Sequence, residues 1–120
     1  MITGAVKIGS VIYDIVLEDK IEDDDYGYCE PHLQRIVISK DQSHQHVGDT
    51  LLHEIMHAIW HESGLFVVKR PDEEQIVRTT ATWLLMVIND NPHVFKFIKN
   101  PKDHWMHSAE PRPAGKTARR

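Results

Sequence analysis

From Thr50 to His61 the chain reads Thr-Leu-Leu-His-Glu-Ile-Met-His-Ala-Ile-Trp-His, and no other stretch restricts the fold as tightly. At 3.6 residues per turn, His53 and His57 stand one turn apart on one helical face, where two imidazoles can grip a single metal ion. Glu54 follows beside them, placed to take a proton from a water on that metal. Around the helix, Leu51, Leu52, Ile55, Met56, Ala58, Ile59 and Trp60 fill one broad arc, while His53, Glu54, His57 and His61 fill the rest. No ordinary solvated stripe is left, so a buried helix is expected, its histidine side turned toward an internal cleft. The pentapeptide His-Glu-x-x-His alone arises by chance. Its weight comes from Asp49 or Thr50 ahead of it, the apolar surroundings and Gly64 as a helix stop.

The flanking segments place this helix in a mixed architecture. Val6 to Leu17 is rich in β-branched residues with a Gly9-Ser10 break, which predicts a hairpin or one long bulged strand. The acidic run Glu18 to Asp25 reads as a solvated loop. Tyr26 to Glu30 and Arg35 to Ile38 predict two antiparallel strands joined by a turn over Pro31 to Gln34. The motif helix is expected to start as early as Ser43 or Gln45, with Gly48 tolerated inside it. Pro71, Asp72, Glu73 and Glu74 put proline and negative charge where a helix start favours both. A second long helix should follow from about Asp72 to about Ile88, with Ile76, Val77, Thr80, Ala81, Trp83, Leu84, Val87 and Ile88 as its core-facing arc. His93 to Ile98 reads as one or two closing turns.

These elements predict an α+β fold in which a small antiparallel or mixed sheet packs on the motif helix and a second long helix. A single domain over residues 1–99 and a disordered, proline-bearing tail over 100–120 are expected, with His104 and His107 of the tail solvated rather than metal-bound. At 120 residues and 41% hydrophobic content there is material for one core. The net charge of −4 gives no basic footprint, so nucleic acid is not an expected partner. Cys29 is the single cysteine, which excludes an internal disulfide and fits a reducing compartment. No apolar run approaches the ~20 residues of a membrane span, and Met1 to Ile8 lacks a secretion-signal layout, so a cytoplasmic location is expected.

A catalytic zinc takes three protein ligands and keeps one position for water. Glu73 and Glu74 are the candidates for the third ligand, although acids in a first turn also stabilise the helix dipole by a few tenths of a kcal/mol, on the order of 0.3. His61 lies on the same face one turn beyond His57, but His53 to His61 spans about 12 Å along the axis, too far for three rings on one ion. It is expected beside the metal, against a developing oxyanion, or simply packed. The extended three-histidine pattern is absent, since Ser63 stands where its third histidine would be, which argues against that ligation.

His53-Glu54-x-x-His57 followed by an acidic second helix resembles the gluzincin branch of the zincin-like metallopeptidases, and the size is similar to that of small metallopeptidases met in phages and prophages. Glu74 to Met86 resembles the second helix of ImmA/IrrE-type peptidases, which cleave repressors. In that register Glu74 takes the ligand's place, Ala81 a small packing position and Leu84-Leu85-Met86 a shared apolar run, while His61 matches a histidine common after the family motif. Met56 departs from the family's glycine, and Val77-Arg78 from its Ala-Asn pair. The helical wheel turns Glu73 nearer the middle of the apolar arc, so Glu73 stays open as the alternative ligand. The resemblance covers roughly Arg35 to Pro92. It implies Zn2+ as cofactor, His53, His57 and Glu74 as ligands, Glu54 as general base, and an extended peptide or protein, such as a regulatory protein, as substrate. That substrate would add as a strand to Arg35–Ile38, taken as the sheet edge. Tyr26, Tyr28, His32, His61 and His93 are the candidate oxyanion donors. The competing expectation is a zinc-containing peptide-binding module with little or no turnover. Glu54 favours the peptidase, since a purely structural site needs no base.

Overall fold

Alternating β-branched residues at the start of the chain make a hairpin in the computed structural model, which describes residues 2–101. β1 (Ile2–Ile8) and β2 (Val11–Glu18) pair antiparallel around Gly9 and Ser10. Gly9 has a φ of 67°, and a Cβ there would lie 2.7 Å from the Trp83 ring, so the turn needs glycine for its torsion and for the close approach alike. β3 (Gly27–Glu30) and β4 (Arg35–Ser39) form the expected antiparallel pair, joined by a 3-10 turn over Pro31–Leu33 and a left-handed Gln34.

The four strands run in the order β1-β2-β4-β3, with β2 parallel to β4. The edge position expected for Arg35–Ile38 therefore belongs to β3. The chain leaves β2 through the acidic run, lays down β3 on the outside, and returns to fill the slot beside β2. Side chains suit this order. Ile36, Val37 and Ile38 are buried on both faces of the sheet, as a central strand requires, whereas all four residues of β3 are half-exposed.

One sheet face carries Val6, Ile8, Tyr13, Ile15, Ile36 and Ile38, and α1 (His44–Glu62) lays Val47, Leu51, Ile55, Ala58 and Ile59 against it. Each such aliphatic side chain contributes roughly 1.5–3 kcal/mol by leaving water. Ser43 caps α1 by accepting from the His46 amide at 3.2 Å. At the far end the buried Tyr13 hydroxyl donates to Glu62 Oε2 at 2.7 Å, and Gly64, with a φ of 84°, turns the chain out of the helix. α1 is not buried all round, contrary to the sequence expectation. The sheet covers one arc only, and His53, His57 and Trp60 remain exposed because their side opens onto solvent.

α2 (Glu73–Asp90) is capped by Asp72, which accepts from the Gln75 amide at 2.7 Å, and α3 (Pro92–Lys99) closes the core with Val94 and Phe97. α2 packs at the margin, against β1 and α1. Of its expected arc only Val87 is fully buried, and Val77, Ala81 and Ile88 stay exposed, because neighbours reach only one narrow stripe of the helix. Between α2 and α3, Asn91 is 2% exposed and its carboxamide joins the sheet. It accepts from the Lys7 amide at 2.8 Å and donates to the carbonyls of Lys7 and Val87, each at 2.8 Å. Among the described residues no helix is long and apolar enough to cross a membrane. The expected disordered tail, with His104 and His107, lies outside the described residues apart from Asn100 and Pro101.

Candidate metal centre and cleft

The i, i+4 spacing does what it predicts. His53 and His57 bring their Nε2 atoms to 3.2 Å, with ring centroids 4.9 Å apart and ring planes at 71°. Two ligands on a tetrahedral zinc, each bonded at about 2.0–2.1 Å, stand about 3.3 Å apart, so the donor pair has the separation that ion would need. The same distance suits an N–H···N hydrogen bond in one tautomer.

Glu54 turns inward from the next position and is 6% exposed. Burial raises its carboxyl above the usual carboxylate range, the imidazoles of His57 and His53 pull it back, and Asp25 adds to the rise. The group can thus hold a proton at a pH where an exposed glutamate has lost it.

β3 forms the wall above the helix, and Gly27 sets how near it comes. A Cβ there would meet Thr50 Cγ2 at 2.7 Å and the Val37 carbonyl oxygen at 2.9 Å, closer than packed atoms allow. Two strand residues advance about 6.6 Å and four helix residues about 6 Å, so the elements keep step. Cys29 comes level with Glu54 as Gly27 does with Thr50. Burial, reinforced by Glu54, Glu30 and Glu62, pushes the Cys29 thiol up to about 12, which keeps it protonated and inert. The Ser39 amide donates to the Tyr26 carbonyl at 2.9 Å, which fixes the phase of the ladder. Tyr28 and Glu30 then exchange bonds with β4, while Gly27 and Cys29 turn their amides and carbonyls outward.

Strand and helix enclose a cleft of ≈ 510 Å³, lined by Gly27, Tyr28, Cys29 and Pro31 on one side and His53, Glu54, His57, Trp60 and His61 on the other. Phe66 closes one end, its ring stacked on His61 at 4.6 Å and 17°. A second hollow of ≈ 400 Å³ opens between α1 and α2, lined by His53, Met56, His57, Trp60, Ile76 and Thr80. The imidazole pair borders both.

Of the residues singled out in the sequence, His53, Glu54, His57, His61 and Tyr28 meet in the cleft. Glu74 does not join them: it is exposed, and its carboxylate accepts from Arg78 Nη2 at 3.1 Å. Glu73 is exposed too. It precedes Ile76 by three positions and Thr80 by seven, which sets it on the stripe fronting the second hollow, with Glu74 turned about 100° away. Among the described residues no three His, Cys, Asp or Glu side chains gather into a metal-holding group. Tyr26 lies 6.4 Å from the His46 ring, His32 does not line the cleft, and His93 sits at the opposite sheet edge with Nε2 3.3 Å from the Ala5 carbonyl oxygen. Gly27, Cys29, Trp60 and Phe66 were not anticipated as site residues. The one signal for them was a small residue between Tyr26 and Tyr28, in a strand alternating toward the motif helix. Compared with protein-family models, curated proteins and solved structures, the chain matches none.

Proposed function

We propose that the chain is a zinc-dependent peptidase whose substrate lies extended along β3. The observation that carries the reading is one cluster: two imidazole nitrogens 3.2 Å apart, with a buried carboxyl beside them, under a strand whose outer backbone groups face an open cleft. A strand lying over a His-Glu-x-x-His helix is also the arrangement that a zincin-like fold uses, which supports that class for this α+β chain.

His53 and His57 would hold the metal. A third ligand would have to come from the first turn of α2, where Glu73 lies on the helical stripe that fronts the second hollow and Glu74 would first have to leave Arg78. A zinc ion there supplies a Lewis acid that polarises the scissile carbonyl and acidifies a water. Gly27 and Cys29 bind the substrate main chain by pairing with it as a further strand. Glu54 takes the proton from the attacking water. Because its burial favours the protonated form, it can then return that proton to the leaving amine. His61, held by its stack on Phe66, is the ring best placed to donate to a developing oxyanion.

Elemental analysis of purified protein, followed by hydrolysis of an unfolded protein by wild type and by Glu54→Gln, tests this. Zinc near one equivalent is expected, with activity falling by roughly 100-fold or more in the variant. Equal activity in the two would end the mechanism. A second reading, a peptide-binding module with little turnover, is favoured by the Glu74–Arg78 pair, which holds that carboxylate on the solvent side. Zinc bound without hydrolysis of any substrate would select it.

A further inference from the structure

His53, His57 and Trp60 stand between two hollows of different character. The cleft under β3 adds Tyr28, Cys29, Glu54 and His61, a mixed and partly polar wall. The hollow of ≈ 400 Å³ between α1 and α2 adds Met56, Ile76 and Thr80, and among the described residues no lysine, arginine, aspartate or glutamate lines it. Each helix supplies a pair one turn apart, Met56 and Trp60 from α1 and Ile76 and Thr80 from α2, so the two walls match along about 6 Å of helix. Thr80 has no proton left for an occupant, since its hydroxyl donates to the Ile76 carbonyl at 2.7 Å. Trp60, 38% exposed, and the half-buried Met56 and Ile76 leave the space apolar beyond the imidazoles. Val77, Leu85 and Ile88 are exposed on another side of α2 and line neither hollow. A concave apolar space beside groups able to fix a ligand's polar atoms has the make-up of a specificity pocket.

We propose that this hollow takes a bulky apolar side chain of the bound segment, that of the residue beside the bond held at the imidazole pair. Resting on the reading of the cleft as a peptide site, this names the class of peptide. Main-chain pairing at Gly27 and Cys29 is indifferent to sequence, so selection falls to pockets for side chains. Successive side chains of an extended chain point to opposite faces. Of the two residues that flank a carbonyl at the pair, one therefore turns toward α1, and past His53 and His57 the surface opens into the hollow. A charged side chain would lose its water there and find no opposite charge. Alanine would leave most of the space without contacts, whereas leucine, methionine or phenylalanine fill it.

Labelled Ser/Thr peptides of about ten residues, differing only in a central phenylalanine, leucine, alanine or aspartate, are titrated with the full chain held metal-free so that none is cut. Fluorescence anisotropy should give roughly tenfold tighter binding of the phenylalanine and leucine peptides than of the alanine peptide, with aspartate weakest. Because apolar contact carries it, the ratio of phenylalanine to alanine should hold between about 50 mM and about 0.5 M salt. Thr80→Phe fills the hollow and should erase the advantage of the larger residues while the alanine peptide binds as before and circular dichroism stays unchanged. Ile76→Ala widens the hollow and should weaken the leucine peptide more than the phenylalanine peptide, whereas Leu85→Ala, outside it, should change neither. Equal affinity for the phenylalanine and alanine peptides overturns the proposal and leaves the cleft reading standing; binding of no peptide removes both. A preference that Thr80→Phe and Ile76→Ala both leave intact overturns it as well. If Trp105→Ala with Met106→Ala raises the affinity for the phenylalanine peptide several-fold, the chain's own terminal segment fills the hollow and the foreign side chain is excluded. Zinc-loaded protein that keeps the preference without ever cutting removes the peptidase reading and leaves this one standing.

Discussion

At β1 the outward amide and carbonyl of Lys7 are both taken by the Asn91 carboxamide, and the Ala5 carbonyl faces the His93 ring. At β3 the outward groups of Gly27 and Cys29 border an open cleft. An unpaired strand edge is a template for any extended chain, and this molecule closes one such edge with a side chain that imitates a peptide while leaving the other beside its imidazole pair. The open edge is kept short, at four residues. The difference separates backbone groups that hold the fold from those free to bind.

Breaking the closed edge should have the largest effect. Asn91→Ala removes three hydrogen bonds at a site 2% exposed and should lower stability by about 3 kcal/mol in urea denaturation. A loss below about 1 kcal/mol would mean that water replaces the carboxamide and that the edge was never closed. Hydrogen exchange sharpens the same contrast without mutation. The Lys7 amide should exchange at least about a hundredfold more slowly than those of Gly27 and Cys29, and a bound extended peptide should slow only the latter two. Similar rates at both edges would contradict the distinction.

The smallest effect concerns the carboxyl under the open edge. Burial raises the Glu54 pKa, so its ionised form is penalised in the folded state. That penalty is absent below the ordinary glutamate pKa and complete once the pH exceeds the raised folded value. Glu54→Gln should therefore stabilise the metal-free protein at neutral pH, and the gain should vanish as the pH falls below the ordinary glutamate pKa. A variant less stable than wild type at neutral pH would show that the carboxylate is better solvated than its burial indicates.

Elements written in local patterns were legible. The Gly9-Ser10 turn, the start of the motif helix near Ser43, the start of α2 near Asp72 and the Gly64 stop all follow from residue chemistry at those positions, although Asp72 caps α2 rather than lying in its first turn. The placement of β4 was not legible, because its partner β2 is parallel and lies on the far side of a strand made in between. Nothing near Arg35 records that. The same gap hid Cys29 and Phe66, whose place in the cleft depends on β3 being outermost and on the chain doubling back after α1. His53, Glu54 and His57 were visible because one helical turn brings them together without help from the rest of the fold. Whether Glu73 or Glu74 can approach the pair depends on how two helices lean, which spacing within either does not encode.

Gly64 shows how much rests on a single torsion. A Cβ there would meet nothing within 4 Å, so glycine is kept for its positive φ rather than for space. Were the backbone to prefer an ordinary helical value, α1 would run on by another turn and carry Phe66 away from His61. The groove would then lose its end stop and become a channel open at that end, able to accommodate longer chains and to hold none of them in register.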